Sequence, residues 1–166
     1  MGNQTAIYQT PPLAEVGGLA TTDYANPILA VPGCRVNGTA LVGGFVWNAS
    51  APSGTQVNSQ EQYVTNTAAS GKPLGFVYRL QNAALACSSG YTLSIPQGQP
   101  CPVAQKGCFY AVSATNATKG NKVYASLTDG SIKTDATGQT ISGYVETDWS
   151  VALGGTAGAK IIVEYR

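Results

Sequence analysis

Histidine is absent from this sequence of 166 residues. Its imidazole is the commonest general base, proton shuttle and metal ligand in proteins. The absence excludes the usual serine and cysteine triads, in which a histidine activates the nucleophile. The side chains that remain for chemistry are carboxylates and thiols.

Charge is also scarce. Only 10% of the residues are charged, and 9 Lys and Arg nearly balance 8 Asp and Glu, whereas an ordinary soluble domain has about 25% charged residues. Such a chain has little long-range attraction for nucleic acid or for an anionic membrane. The sequence therefore predicts neither as a direct partner, and its surface suits packing against other proteins.

Long apolar runs are missing as well. No window approaches the roughly 18 apolar residues of a membrane span, and no basic segment leads into an apolar run near the start. We expect a protein that is made and folded in the cytosol.

Four cysteines are present, Cys34, Cys87, Cys101 and Cys108. Structural zinc sites usually use pairs two to four residues apart, and the closest pair here is wider, so the spacing predicts no metal site. Cys101 and Cys108 are a candidate disulfide, provided that their Cα atoms come within about 7 Å. The alternative is four reduced thiols, which behave as small buried apolar groups.

Two carboxylates share one side of a predicted strand, Glu146 and Asp148 in "YVETDWS". A pair of this kind could bind a cation or share a proton. The favoured alternative is a solvated strand face, with Thr147 and Trp149 turned the other way, because no other acidic cluster lies nearby. The sequence predicts no catalytic, cofactor-binding or metal-binding residues, and hence a protein that is not an enzyme.

A glycine-rich stretch, "GGTAGAK" at 154–160, superficially suggests a phosphate loop. Its lysine is not followed by Ser or Thr and leads into a strand instead of a helix, which a phosphate loop would require. This stretch is predicted to be a hairpin loop.

Two regions of the chain differ in the residues that interrupt their apolar runs. Residues 1–32 contain four prolines, which favour extended backbone, and they are predicted to form an N-terminal arm. Residues 33–166 contain short runs of Val, Ile, Tyr, Phe and Thr between turn residues, the pattern of about seven to nine strands. The best helical stretch, "QNAALAC" at 81–87, is too short to stand alone. The fold class is predicted as all-β, an antiparallel jelly-roll-like sandwich or barrel.

The stretch "KVYASLTDGSIKTD" predicts one hairpin of that fold. Strand side chains alternate, so Val123, Ala125 and Leu127 share an apolar face, and the face of Tyr124 is expected to be wet. Asp129-Gly130 supplies the turn.

Six aromatic residues interleave with strand positions and with a single nearby cation, Arg79. Grooves for single-stranded nucleic acid pair aromatic platforms with several basic groups. We therefore expect a core or a subunit interface from Phe45, Trp47, Phe76, Tyr78, Phe109 and Tyr110.

The order of these elements resembles the structural cement, or decoration, proteins of tailed bacteriophages. The resemblance covers roughly 26–166 and follows "ANPILAVPGCRVNGTALVGGFVWNAS", "GKPLGFVYRLQ", "GYTLSIPQGQPCPVAQKGCFYAV", "KGNKVYASLTDGSI" and "GYVETDWSVALGGTAGAKIIVEYR". It implies a β-rich protein on the outer capsid surface of a virion. There it would bridge subunits of the major capsid protein and meet other copies of itself, as a dimer or trimer at local symmetry axes.

Two sets of residues are candidates for those contacts. In the arm, Ile7, Tyr8, Leu13 and Val16 are proposed anchors, because an extended segment can pair with an exposed strand edge, with a disordered tail as an equal alternative. Tyr144 and Trp149 are candidate interface aromatics, with core packing as an equal alternative. Another function class stays open, a carbohydrate-binding or adhesin-like β-sandwich module that stacks exposed Tyr and Trp on sugar rings.

Overall fold

The described residues form strands and turns, with no helix among them. The computed structural model describes residues 15–21, 27–55, 58, 60–80, 86–87 and 93–165, of which 86–87 are described in their backbone only. Thirteen strands lie in these ranges: β1 Leu29–Val31, β2 Cys34–Val36, β3 Thr39–Leu41, β4 Phe45–Ala49, β5 Gln62–Thr65, β6 Gly75–Val77, β7 Ala86–Cys87, β8 Leu93–Pro96, β9 Val103–Val112, β10 Lys122–Ser126, β11 Ile132–Asp135, β12 Tyr144–Leu153 and β13 Lys160–Tyr165. Within these ranges no helix is suited to cross a membrane.

The strands form one large sheet and one small one. The large sheet has the order β11-β10-β12-β13-β9-β6-β4-β5-β2, with β1 also paired to β9, and the small sheet has the order β3-β8-β7. Neighbouring strands are antiparallel except for the parallel pair β2 and β5. The large sheet does not close on itself, so the predicted all-β sandwich class is confirmed and a closed barrel is not formed.

Strand β9 joins the two halves of the large sheet. Its beginning pairs with β6, where Val103 lies opposite Val77. Its second half pairs with β13, from Gly107 opposite Tyr165 to Val112 opposite Lys160. Gly107 lies where the partner changes and has a φ of 142°, a backbone region that glycine tolerates best.

Two hydrophobic cores result, because central strands bury both faces. Strand alternation sends Phe45 and Phe76 into one core and their neighbours Val46 and Val77 into the other. The first, the aromatic core, comprises Phe45, Trp47, Phe76, Ala104, Phe109, Ala111, Ala117, Val123, Ala125, Ile132, Trp149, Val151, Ile161 and Val163. The second, the valine core, comprises Cys34, Val36, Ala40, Val42, Val46, Val64, Val77, Ile95, Cys101 and Val103.

The hairpin of β10 and β11 forms as predicted, but its second face is not wet. Gly130 has a φ of 71° in the connection, and Lys122 lies opposite Asp135. Tyr124, however, is only 1% exposed. Its hydroxyl lies 2.7 Å from the Ala136 carbonyl oxygen and accepts a hydrogen bond from the Gln139 amide at 3.0 Å. The expectation of a wet face was wrong, because the chain after β11 returns across it.

The structure also tests the predicted hairpin loop and the weak helical stretch. Residues 154–159 of the glycine-rich stretch connect β12 to β13 as the expected hairpin loop, and its lysine, Lys160, begins β13. Of the weak helical stretch 81–87, only 86–87 lie within the described residues, and they form strand β7.

Candidate functional site

The two candidate carboxylates bind different groups. The Glu146 Oε2 atom accepts hydrogen bonds from the Gly138 amide at 2.7 Å and from the Tyr124 hydroxyl at 3.0 Å. The Asp148 Oδ1 atom lies 2.6 Å from the Lys72 Nζ atom, and this hydrogen bond raises the pKa of Lys72. Each carboxylate therefore fastens a surface segment to β12, and the described residues contain no group of three or more metal-ligating side chains.

Thr147 and Trp149 point away from these carboxylates, as the alternative interpretation required. Trp149 is 3% exposed and lies 5.5 Å from the Phe76 ring and 6.0 Å from the Phe45 ring, between centroids. It is a core residue in this chain and not a surface contact. Tyr144 is partly exposed, with the Lys133 Nζ atom 4.4 Å from the centre of its ring.

Aromatic platforms for a sugar ring are limited by this packing. All three phenylalanines and both tryptophans are buried, so the aromatic groups left at the described surface are partly exposed tyrosines. The aromatic core thus absorbs most of the interleaved aromatic residues that the sequence singled out.

The candidate disulfide partners are held apart by strand structure. Cys101 and Cys108 are both buried, and the extended residues of β9 lie between them. At about 3.3 Å per residue, the five steps from 103 to 108 alone cover roughly 16 Å, well beyond the reach of a disulfide. Cys101 is a free thiol that instead lies beside Cys34.

The N-terminal segment runs along β9 of its own chain. Leu19 forms a bridge with Phe109, and β1 pairs with the beginning of β9, where Ala30 lies opposite Ala104. Val16 packs against Gly43, since a Cβ built on that glycine would lie 2.2 Å from the Val16 side chain. The other arm candidates, Ile7, Tyr8 and Leu13, lie outside the described residues, so binding of a partner by this arm stays a prediction.

This segment also exposes apolar groups. Leu19 is 42% exposed, Ile28 38% and Leu29 49%. Among the described residues β1 pairs only with β9, so its other backbone edge has no strand partner there. We call Ile28, Leu29 and this edge of β1 the N-terminal edge. Exposed apolar groups beside an unpaired strand edge can recruit another chain.

These features indicate a general class of protein. The chain is an all-β protein of low charge whose described acids are engaged in surface contacts and whose apolar groups reach the surface at a strand edge. That is the physical character of a protein that packs against other proteins.

The comparisons give the family. The model of the XM1 gp53 minor capsid protein family matches residues 4–165, and the chain belongs to this family. A solved structure entitled "The capsid of Myoviridae Phage XM1" contains a chain of similar fold, with a TM-score of 0.60 and 18% identity over 99% of this chain and 97% of that chain. No curated protein matches the sequence at a significant level.

Family membership confirms the resemblance to accessory proteins of phage capsids. The chain is a structural protein of a phage capsid and is associated with the virion.

Proposed function

We propose that this protein is a capsid cement protein, which binds the outer surface of the assembled shell and bridges neighbouring subunits of the major capsid protein. The observation that carries the proposal is the N-terminal edge, together with membership of a minor capsid protein family. The proposed function requires no catalysis.

The edge supplies the two elements that strand addition needs. The backbone edge of β1 offers hydrogen-bonding groups to an incoming strand, and Ile28 and Leu29 offer apolar side chains beside it. The low charge of the chain keeps the cost of removing ions from water small at such a contact.

Binding of this kind stabilises a shell by mass action. A protein that binds the finished lattice, and not its separated subunits, shifts the equilibrium toward the lattice. Copies that meet each other as dimers or trimers at local symmetry axes would add multivalent attachment to that effect.

The arm extends the same contact. Ile7, Tyr8 and Leu13 precede the N-terminal edge in the chain, and we propose that they anchor it to the neighbouring capsid protein. Tyr144, partly exposed on β12, is a second proposed contact.

The test compares two leucines of equal exposure. Leu29 at the N-terminal edge and Leu153 at the end of β12 are both 49% exposed. Leu29→Asp should weaken binding to undecorated capsids by about tenfold or more, because a charge would be buried in the contact. Leu153→Asp should change it by less than about twofold.

Binding is measured by cosedimentation with undecorated capsids, together with the temperature at which the decorated shell disrupts. Saturable binding of the wild type with a raised disruption temperature supports a cement function. Failure of the wild type to bind a competent lattice would overturn the cement function. Equal losses for the two variants would show that the N-terminal edge is not the binding contact.

A further inference from the structure

Two cysteines far apart in sequence face each other across a strand pair. Arg35 forms an antiparallel bridge with Pro100, which places Cys34 directly opposite Cys101. The Cys101 amide donates a hydrogen bond to the Cys34 carbonyl oxygen at 2.9 Å. Both side chains belong to the valine core.

This arrangement lies within the reach of a disulfide. Opposite residues of an antiparallel pair have Cα atoms about 4.5–5.5 Å apart, and disulfides span about 4.4–6.8 Å between Cα atoms. Opposite Cβ atoms must come about 1 Å closer than in an average pair. The neighbouring turn at Gly98, where φ is 80°, lies on one of the two segments that would adjust.

We propose that Cys34 and Cys101 are a cross-linking site, which forms an intramolecular disulfide when the protein leaves the reducing cytoplasm. This goes beyond the proposed function and does not depend on it. The bridge would tie β2 to the segment that leads into β9, and it would close a loop containing most of the valine core.

The oxidant is a small-molecule disulfide, such as oxidised glutathione. One cysteine thiolate attacks it, forming a mixed disulfide and releasing one small thiol. The second cysteine thiolate then attacks the protein sulfur of that mixed disulfide and releases the second small thiol. One protein S–S bond forms, the small disulfide is reduced by two electrons, and the two thiol protons pass to the leaving groups.

Burial makes this reaction slow at neutral pH. It raises the pKa of Cys34 to about 11 and that of Cys101 to about 12, the latter also through the neighbouring Cys34. Because the thiolate is the reactive form, the rate should rise about tenfold for each pH unit below these pKa values.

The experiment uses the full chain, reduced and then incubated with oxidised glutathione at about pH 7 and about pH 9. Peptide mapping without reductant should find one cross-linked product that contains Cys34 and Cys101, formed about a hundredfold faster at the higher pH. The oxidised chain should melt roughly 5–10 °C higher than the reduced chain.

Variants separate this bridge from the others. Cys101→Ala should abolish the product and the melting shift, whereas Cys108→Ala, at a buried cysteine of β9, should retain both. Cross-links to Cys108 or Cys87, intermolecular dimers, or glutathione adducts alone in the wild type would overturn the proposal. The wild-type map decides the matter even if Cys101→Ala fails to fold.

Discussion

The aromatic core and the valine core share strands β4, β6 and β9 but take different side chains from them. β4 and β6 are antiparallel neighbours, with Phe45 opposite Phe76, and each strand sends its phenylalanine to one side and its valine to the other. The aromatic core holds all three phenylalanines and both tryptophans, while the valine core holds small aliphatic residues and two cysteines.

The difference shows how a single sheet can organise two layers. In the aromatic core the Phe76 ring stacks on the Phe109 ring at 5.3 Å between centroids, and ring contacts of this kind add to the energy of burial. The Trp47 indole N–H donates to the Gly71 carbonyl oxygen at 2.8 Å, so its polar group is satisfied. The valine core gains stability through close packing of smaller groups, each of which contributes less.

The largest expected effect tests whether a side chain of the aromatic core contributes more stability than one of the valine core. Phe76→Ala should lower the free energy of unfolding by about 3–5 kcal/mol, and Val77→Ala, at the next residue but in the other core, by about 1–3 kcal/mol. Both residues are fully buried on one strand, so backbone position is matched. Urea unfolding measures the two values, and an equal or larger loss for Val77→Ala would contradict the comparison.

A second test concerns how the β10–β11 hairpin is fastened to the edge of the aromatic core. A Cβ at Gly130 would lie 2.1 Å from the Phe45 carbonyl oxygen, where the Phe45 amide donates to the Gly130 carbonyl oxygen. Gly143 has a similar φ of 75° but nothing within 4 Å of its Cβ position.

Both alanine substitutions carry the strain of left-handed backbone, about 1–2 kcal/mol. Only Gly130→Ala must also displace β4, so we expect a loss of about 3 kcal/mol for it and about 1 kcal/mol for Gly143→Ala. Thermal and urea unfolding check this. Equal losses would mean that the hairpin does not depend on its contact with β4.

The smallest effect concerns a buried polar group outside both cores. Tyr124→Phe removes the hydroxyl that lies against Ala136, Gln139 and Glu146, and it should cost about 1–2 kcal/mol at neutral pH. Tyr144→Phe, at a partly exposed tyrosine, is the matched control and should change stability by less than about 0.5 kcal/mol.

The pH dependence has a definite sign. Burial, with a further contribution from Glu146, raises the pKa of Tyr124, so the folded state favours the protonated phenol. Its stabilisation is present below the unfolded pKa of about 10 and is lost as the pH rises through the folded value. The gap between wild type and Tyr124→Phe should therefore shrink above about pH 10. A gap that stayed constant there would contradict the raised pKa.

Much of the strand pattern was predictable. Eight of the thirteen strands, β3, β4, β6, β8 and β10 to β13, lie within predicted runs, as does the second half of β9, since β-branched and aromatic residues between turn residues mark them locally. The predicted count of seven to nine strands was therefore too low. β1 was missed because it lies among the prolines of the arm, and β2, β5 and β7 because they are short and weakly patterned. The local sequence does not indicate that such segments form strands, because they are stabilised by pairing with strands that are distant in sequence.

The candidate site was less predictable. The sequence correctly turned Thr147 and Trp149 away from the acids, because alternation is a local rule. It did not identify the N-terminal edge, because the exposure of Leu29 depends on which side of β9 the segment occupies. It placed Cys101 with Cys108, which are near in sequence, whereas the fold brings Cys101 to Cys34.

By itself, the sequence determined the all-β class, the β10–β11 hairpin and the lack of histidine chemistry, since these follow from residue type and from alternation between neighbours. Only the tertiary structure decided which core each face of β4 and β6 enters, how Tyr124 is covered, and that Cys34 faces Cys101. The physical reason is that a strand has two equivalent faces and two equivalent edges, and only contacts distant in sequence assign a partner to each of them.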